Sequence, residues 1–362
     1  MSRRIEIDAL RGLMLVTMTL THLPTRLRLY SDQPFGFVSA AEGFVFLSAF
    51  VVAASWSRQV EVGGVSGARR RLWGRAARVY GHHLGLLAFA FTIAATLAAA
   101  IGRPGLRNLL AFYFDFPAVA LVSGPLLLYQ PPLLDILPLY VVFLTLTPAL
   151  LEWTERRGFV ELGVGSVMLW SFAQLGGREL LHAGLRSLTG IPLPLDALGA
   201  FDLLAWQLIW MAGLWAGSAR VERVRSPVVF WGAALAALGF FLWRHQLGVA
   251  LDLGARAALL DKWHLGALRV VNFASLAVVM ARGVLPALRW LRAGVLSRLG
   301  QASLPVFSAH VLGCLLSLAL VSDDVTQLSL SEEALVLIAT FGLMAFVAWR
   351  ATLVRPPACS PT

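Results

Sequence analysis

The first residues that could do chemistry are Arg11 and His22, which stand in one apolar segment with ten residues between them. In a helix this spacing places both side chains on one face, about 20° apart and roughly 16 Å apart along the axis. Glu42 lies within the first two turns of the next apolar segment, at a depth similar to that of His22. A carboxylate beside an imidazole fixes its tautomer and raises its basicity, as a general base acting on a hydroxyl requires. The alternative interpretation is a buried ion pair that pins two helices together.

A second candidate site is the arginine-rich stretch before the third apolar segment. Arg75 and Arg78 are one helical turn apart and point the same way, which suits a phosphate-bearing anion such as coenzyme A. Arg71 and His82 flank this pair and belong to the same predicted donor site. The alternative interpretation is a positively charged anchor at a cytoplasmic helix end.

Three further ionisable side chains are assigned to the acceptor side of the predicted site: Asp135, Asp202 and His310. The two aspartates begin predicted helices, where a carboxylate also serves as a cap or favours the positive end of the helix dipole. His310 lies deeper in an apolar segment, where it either contacts substrate or donates a hydrogen bond between helices. Gly213 and Gly217 form a GxxxG pair, which is typical of close helix packing.

These residues are set in a chain that is 58% hydrophobic and only 14% charged, which excludes a water-soluble globule. The composition predicts an all-α, polytopic membrane protein of about ten transmembrane helices. The predicted spans are 9–23, 37–56, 79–101, 134–152, 158–175, 202–219, 228–243, 267–286, 302–321 and 333–350. Residues 108–133 are apolar but interrupted by proline and glycine, which favours a re-entrant or interfacial segment over a span.

The formal net charge of +10 is concentrated in short loops on alternate sides of the predicted spans, and the loop predicted at 57–78 holds six of the arginines. The positive-inside rule then places both termini in the cytoplasm, and it explains the charge without nucleic acid. Cys314 and Cys359 support neither a disulfide scaffold nor a thiolate zinc site. We therefore expect no metal and no tightly bound cofactor, with membrane lipid as the surroundings and an oligomeric state that the sequence leaves open.

Several motifs, in the expected order, resemble the OpgC family of bacterial inner-membrane proteins, within the broader group of acyltransferase-3-like integral membrane acyltransferases. They are Arg4 to Leu13 (RIEIDALRGL) with His22, Glu42 to Phe50 (EGFVFLSAF), Leu134 to Val142 (LDILPLYVV), Phe201 to Gly213 (FDLLAWQLIWMAG) and Leu299 to His310 (LGQASLPVFSAH). The chain departs from the family pattern at Ala49, Asp202 and Tyr80, where Gly, Asn and Pro are usual. The resemblance covers one integral membrane domain over residues 1–355, followed by a short cytoplasmic tail at 356–362.

The resemblance implies transfer of a succinyl group, with succinyl-CoA or another acyl-CoA as the donor, to hydroxyls of osmoregulated periplasmic glucans. It implies that His22 is the catalytic histidine, Glu42 its partner and Arg11 its helix-mate on the acyl path, and that Arg75 and Arg78 contact the donor. Because donor and acceptor lie on opposite sides of the membrane, a tunnel from Arg75 to His22 is predicted. The rival hypothesis is a proton-coupled transporter or flippase of a charged glycan or lipid, in which His22 and Glu42 couple protons. A third possibility is a regulatory membrane protein without either activity.

Overall fold

The computed structural model describes residues 5–102, 104–190, 193–218, 226–247, 257–285, 294–321 and 328–353, and within these ranges the secondary structure is helical, with no strand. The longer helices are α1 (Ile5–His22), α3 (Ala40–Phe89), α8 (Ile136–Arg157), α9 (Val160–Gln174), α10 (Gly177–Thr189), α11 (Leu203–Ser218), α12 (Pro227–Arg244), α14 (Ala267–Val279), α16 (Ser303–Leu320) and α17 (Leu330–Leu353). The shorter ones are α2 (Arg28–Ser31), α4 (Ala95–Ile101), α5 (Pro104–Leu109), α6 (Ala111–Asp115), α7 (Pro117–Ser123), α13 (Ala257–Leu260) and α15 (Val295–Gln301). Two π-helical segments, Ala90–Ala94 and Met280–Val284, continue α3 and α14, and a 3-10 turn covers Leu195–Leu198.

Seven helices in the described part of the chain are long and apolar enough to cross a membrane, so the prediction of a multi-pass helical membrane protein is confirmed. Each of the ten predicted spans falls on a helix; for example, the span predicted at 202–219 is α11, Leu203–Ser218. A total of ten membrane crossings and a cytoplasmic location of both termini stay predictions. The predicted tail at 356–362 lies outside the described residues, as does Cys359.

The prediction of a loop over residues 57–78 is wrong, because this stretch is helical and belongs to α3. The helix is broken once, at Gly64, whose φ of 65° and ψ of 174° are not helical. Glycine alone adopts this backbone conformation without steric cost, because it has no Cβ. The two predicted spans at 37–56 and 79–101 are therefore joined by helix that is kinked at a single residue.

Residues 108–133 contain no single long helix, as predicted from their prolines and glycines. They form α6 and α7, separated at Phe116, and then a series of turns. The Tyr80 hydroxyl, on α3, donates a hydrogen bond to the carbonyl oxygen of Pro125 at 3.0 Å. This contact ties the turns to α3, and the membrane depth of the segment stays a prediction.

The chain divides into two compact units. The first unit contains Met1–Asp32, Phe89–Asn108 and Met280–Thr362, and the second contains Gln33–Ala88 and Leu109–Val279.

In the first unit, α1 packs against α15 with almost no space between the two backbones. A Cβ added at Gly12 would overlap the carbonyl oxygen of Leu296, and one at Gly300 would overlap that of Asp8. Glycine at both positions is what lets these helices approach so closely. Thr19 extends the packing to α17, where its hydroxyl lies 3.3 Å from the Met344 sulfur.

In the second unit, the GxxxG pair of α11 lies against the first half of α3, which confirms the predicted close packing. A Cβ at Gly213 would lie 2.5 Å from the Phe46 carbonyl oxygen and 2.7 Å from the Cβ of Ala49. A Cβ at Gly217 would overlap the Phe50 carbonyl oxygen. The small residues therefore fix the spacing between α3, which carries Glu42, and α11.

Candidate functional site

His22 is the last residue of α1, and its imidazole faces that of His310 on α16. Its Nδ1 lies 3.2 Å from Nε2 of His310, and the two ring planes are inclined by 28° with their centroids 5.3 Å apart. His310 is fully buried, whereas His22 is half-buried. Of the two roles predicted for His310, the structure therefore shows the hydrogen bond between helices; contact with substrate stays a prediction.

His310 has a second partner one helical turn further along α16. The Sγ atom of Cys314, which is fully buried, lies 3.5 Å from Nδ1 of His310. Three titratable side chains are thus joined in series, in the order His22, His310, Cys314. No role for Cys314 was predicted from the sequence. The signal that could have identified its contact with His310 is their i, i+4 spacing on one helix.

Arg11 and His22 stand on one continuous helix, as their spacing predicted. The Nη2 atom of Arg11 donates a hydrogen bond to the hydroxyl of Ser303 at 2.6 Å, which links α1 to the start of α16. The same two helices therefore position Arg11 at one end and the histidine pair further along α1.

Glu42 is completely buried near the start of α3 and is fully hydrogen-bonded there. Its Oε2 accepts hydrogen bonds from the backbone N–H and the hydroxyl of Ser39, at 3.0 and 2.6 Å, which is half of a capping box. Its Oε1 accepts a hydrogen bond from Nε of Arg269 on α14 at 2.5 Å, in an ion pair in which the arginine side chain is only 1% exposed. Glu42 thus caps α3 and joins it to α14 within the second unit.

The predicted pairing of Glu42 with His22 concerns residues of two different units and stays a prediction. Arg269 is the partner that sequence reasoning missed. An ionisable residue near the start of an apolar segment was the signal that could have identified it.

A cavity of about 480 Å³ in the second unit lies among the residues predicted to form the donor site. Three of the four residues predicted for that site line the cavity, namely Arg71, Arg75 and Arg78. The other lining residues are Val52, Ser55, Gln59, Leu72 and Gly74. The cavity is thus lined from both sides of the kink in α3, because the break at Gly64 turns the second half of the helix back towards the first.

Two contacts with α8 hold the halves of α3 in this arrangement. Arg69, beyond the kink, forms a bidentate ion pair with Glu152. Before the kink, Nε1 of Trp56 donates a hydrogen bond to Glu155 at 2.7 Å. Because Glu152 and Glu155 are one turn apart on α8, both halves of α3 are fastened to the same helix face.

His82, the fourth residue of the predicted donor site, follows the cavity along α3 but is not among its lining residues. Its neighbour His83 is fully buried, with Nε2 3.3 Å from the carbonyl oxygen of Gly124. A donor role for His82 stays a prediction.

Both aspartates of the predicted acceptor side accept hydrogen bonds from backbone N–H groups of residues 200–204. Asp135 accepts a hydrogen bond from the backbone N–H of Ala200 at 3.2 Å, and its burial raises the pKa of this carboxyl to about 6. The Asp202 carboxylate accepts one from the N–H of Leu204 at 2.9 Å, which is a cap of α11. Its other oxygen, Oδ2, is buried without a hydrogen-bond partner in the described part of the chain.

An aromatic wall stands beside Asp202. The backbone N–H of Asp202 and Nε1 of Trp206 both donate hydrogen bonds to the carbonyl oxygen of Trp263, at 3.2 and 3.0 Å. The ring of Phe201 packs edge-on against those of Trp206 and Trp263, and Trp263 is 38% exposed. His310, the third predicted acceptor residue, belongs to the first unit, in the pair with His22 described above.

Comparison with known proteins gives one result. The family model described as "OpgC protein" matches residues 3–355, which is nearly the whole chain. No curated protein and no solved structure matches this chain. The extent of the family match shows that this chain belongs to the OpgC family.

Proposed function

We propose that this protein is a membrane O-acyltransferase of the bacterial inner membrane that moves a succinyl group from cytoplasmic succinyl-CoA to a hydroxyl of an osmoregulated periplasmic glucan. Membership of the OpgC family suggests a membrane acyltransferase that modifies glucans. The observation that carries the finer proposal is the cavity lined by Arg71, Arg75 and Arg78.

The cavity has the size and charge that a coenzyme A headgroup needs. Its volume of about 480 Å³ lies within the range of small-molecule sites. Three guanidinium groups line it, and no lining residue is acidic. Guanidinium groups bind phosphate oxygens by paired, charge-assisted hydrogen bonds, and coenzyme A carries several phosphates. Ser55 and Gln59 add neutral polar groups that are suited to the amides of the pantetheine arm.

The chemistry assigned to His22 is general-base catalysis. Its imidazole removes the proton from the glucan hydroxyl while the oxygen attacks the thioester carbonyl of succinyl-CoA. Collapse of the tetrahedral intermediate forms the ester and releases the coenzyme A thiolate, which takes the proton back from the imidazolium. An arginine or a backbone N–H stabilises the negative oxygen of the intermediate, as in other acyl transfers. The route of the acyl group from Arg75 to His22 is part of the proposal.

On the acceptor side, Asp202 has the chemistry that sugar recognition needs. Its buried Oδ2 atom is an acceptor for a hydroxyl hydrogen, and the partly exposed Trp263, whose carbonyl oxygen accepts from the Asp202 N–H, provides an aromatic ring. Carboxylates and aromatic rings bind the polar and apolar parts of a sugar respectively.

The proposal is tested with purified protein in detergent, supplied with succinyl-CoA and glucan. We expect release of free coenzyme A thiol and a mass increase of the glucan by one succinyl group, both abolished by His22→Ala. Arg78→Gln should raise the KM for succinyl-CoA at least tenfold, because it removes a charge-assisted contact worth about 1.5–3 kcal/mol. The matched control is Arg70→Gln, which removes the same charge from an exposed position of the same helix outside the cavity lining.

Vectorial movement of glucan or lipid without ester formation would contradict the proposal and support a transporter. Equal KM values for succinyl-CoA in the Arg78 and Arg70 variants would show that the cavity does not bind the donor.

A further inference from the structure

We propose that His310 is the positioning residue of the catalytic base: it fixes the tautomer of His22, a task that carboxylates perform in other His-based enzymes, and Cys314 in turn fixes the tautomer of His310. The inference rests on the proposed function, since it concerns the same reaction. It assigns His310 a role other than substrate contact.

The tautomer of His22 depends on which of its two nitrogens carries the hydrogen. A neutral imidazole has one N–H and one lone pair, and it accepts a proton only at the nitrogen with the lone pair. Because Nδ1 of His22 lies 3.2 Å from Nε2 of His310, these two nitrogens share one hydrogen. If His22 is the donor, its Nε2 has the lone pair and can deprotonate a hydroxyl. If His310 is the donor, Nε2 of His22 already carries hydrogen and the base is inactive.

Cys314 supports the active arrangement when its sulfur is the acceptor, which is the direction that we propose. Its Sγ lies 3.5 Å from Nδ1 of His310, a distance at which sulfur accepts a weak hydrogen bond. With hydrogen on Nδ1, a neutral His310 must present a lone pair at Nε2, which is the atom that faces His22. The series then runs from His22 Nδ1–H to His310 Nε2, and from His310 Nδ1–H to Cys314 Sγ.

The same arrangement also suits the protonated state of the base. When His22 has taken the substrate proton, both of its nitrogens carry hydrogen, and Nδ1–H still donates to His310 Nε2. No hydrogen has to move within the pair during the reaction. Complete burial of His310 keeps it in the neutral form that can accept this bond, because an unpaired buried charge is costly.

A matched pair of amide substitutions tests the geometry. In His310→Gln the side-chain amide reaches the position of Nε2 and can accept from His22, whereas in His310→Asn it reaches only the position of Nδ1. Both variants bury one amide in place of the imidazole. We expect His310→Gln to retain kcat within about tenfold, and His310→Asn to lower kcat by about 10²–10⁴-fold, the usual contribution of a general base. The KM values for succinyl-CoA and glucan should stay within threefold for both variants, because neither substrate contact is altered.

Three outcomes would overturn the inference. Equal kcat values for the Gln and Asn variants would show that Nε2 of His310 does not position the base. A rise in both KM values together with a fall in melting temperature would show a merely structural role. For Cys314→Ala we expect kcat to fall by less than about tenfold. If this variant loses all activity and mass spectrometry detects an acylated Cys314 in the parent protein, Cys314 is a covalent acyl carrier and not a positioning residue.

These outcomes are distinguishable from failure of the proposed function. If the parent protein forms no succinyl ester at all, the proposed function fails before any variant is compared. If the parent is active, His22→Ala is inactive and His310→Asn is fully active, only the positioning role fails.

Discussion

Replacing Arg269 by Met should destabilise the protein strongly, because it would leave the Glu42 carboxylate buried without its counter-charge. Glu42 is 0% and Arg269 1% exposed, so water cannot take the place of the missing guanidinium. The carboxylate would keep only the two hydrogen bonds from Ser39. Removing one partner of a buried ion pair typically costs about 3–5 kcal/mol, so we expect the free energy of unfolding to fall by that amount.

The second change, Glu42→Gln, is chosen because glutamine preserves the capping box with Ser39 while it removes the charge. Alone it should also cost about 3–5 kcal/mol, since it leaves Arg269 unpaired. The double variant Glu42→Gln with Arg269→Met removes both charges and should lie within about 2 kcal/mol of the parent. Denaturant unfolding in detergent, followed by tryptophan fluorescence, gives the three differences and their coupling.

Activity of the double variant separates two roles for Glu42. If the ion pair to Arg269 is its only task, restored stability brings restored acyl transfer. If Glu42 also orients His22, as the sequence predicts, the double variant is stable but inactive. A cost below about 1 kcal/mol for Arg269→Met would refute the reasoning, because it would mean that the carboxylate is neutral or solvated.

Three further predictions concern the helices and one carboxyl group. Gly12→Ala should destabilise the protein by about 1–3 kcal/mol or more, because the added Cβ meets the α15 backbone. Gly163→Ala, in open space on α9, should stabilise the protein by up to about 1 kcal/mol. Melting temperatures of the two variants test this difference. Gly64→Ala should cost about 1–3 kcal/mol through backbone strain and should raise the KM for succinyl-CoA, since the kink shapes the cavity; an unchanged KM would contradict this. Burial raises the pKa of Asp135 to about 6 in the folded state, against an ordinary value of 3.8, so the folded state binds more protons than the unfolded state between these pH values. The free energy of unfolding should therefore fall by about 2–3 kcal/mol as pH rises from 4 to 6. Asp135→Asn should abolish the corresponding slope of melting temperature against pH.

The sequence predicts the positions of the long helices well because apolar runs carry the signal locally. The span predicted at 302–321 is the helix Ser303–Leu320, and the GxxxG pair packs as expected. The prediction of a loop at 57–78 was wrong for a physical reason. Residues 68–78 are rich in arginine and alanine, which have good helix propensity, and a lack of apolar periodicity indicates only that the stretch is exposed.

The partners of the site residues could not be predicted, because they lie far apart along the chain. Glu42 and Arg269 are separated by 227 positions, and His22 and His310 by 288. Depth within a span narrows the choice of partner, but several ionisable residues share a similar depth. The packing of α3 on α14, and of α1 on α16, selects among them, and a single sequence contains no direct record of that packing.

The charges of the second unit also separate structural from functional groups. The buried Glu42 and the Glu152 carboxylate each have an arginine partner, so these charges are compensated within the protein. Three arginines line the cavity together, and its lining residues include no acidic side chain. Like charges held close together cost free energy, and an anion that binds among them lowers that cost. The proposed function therefore places the phosphate groups of coenzyme A at this cluster, with Arg75 and Arg78 as their expected contacts.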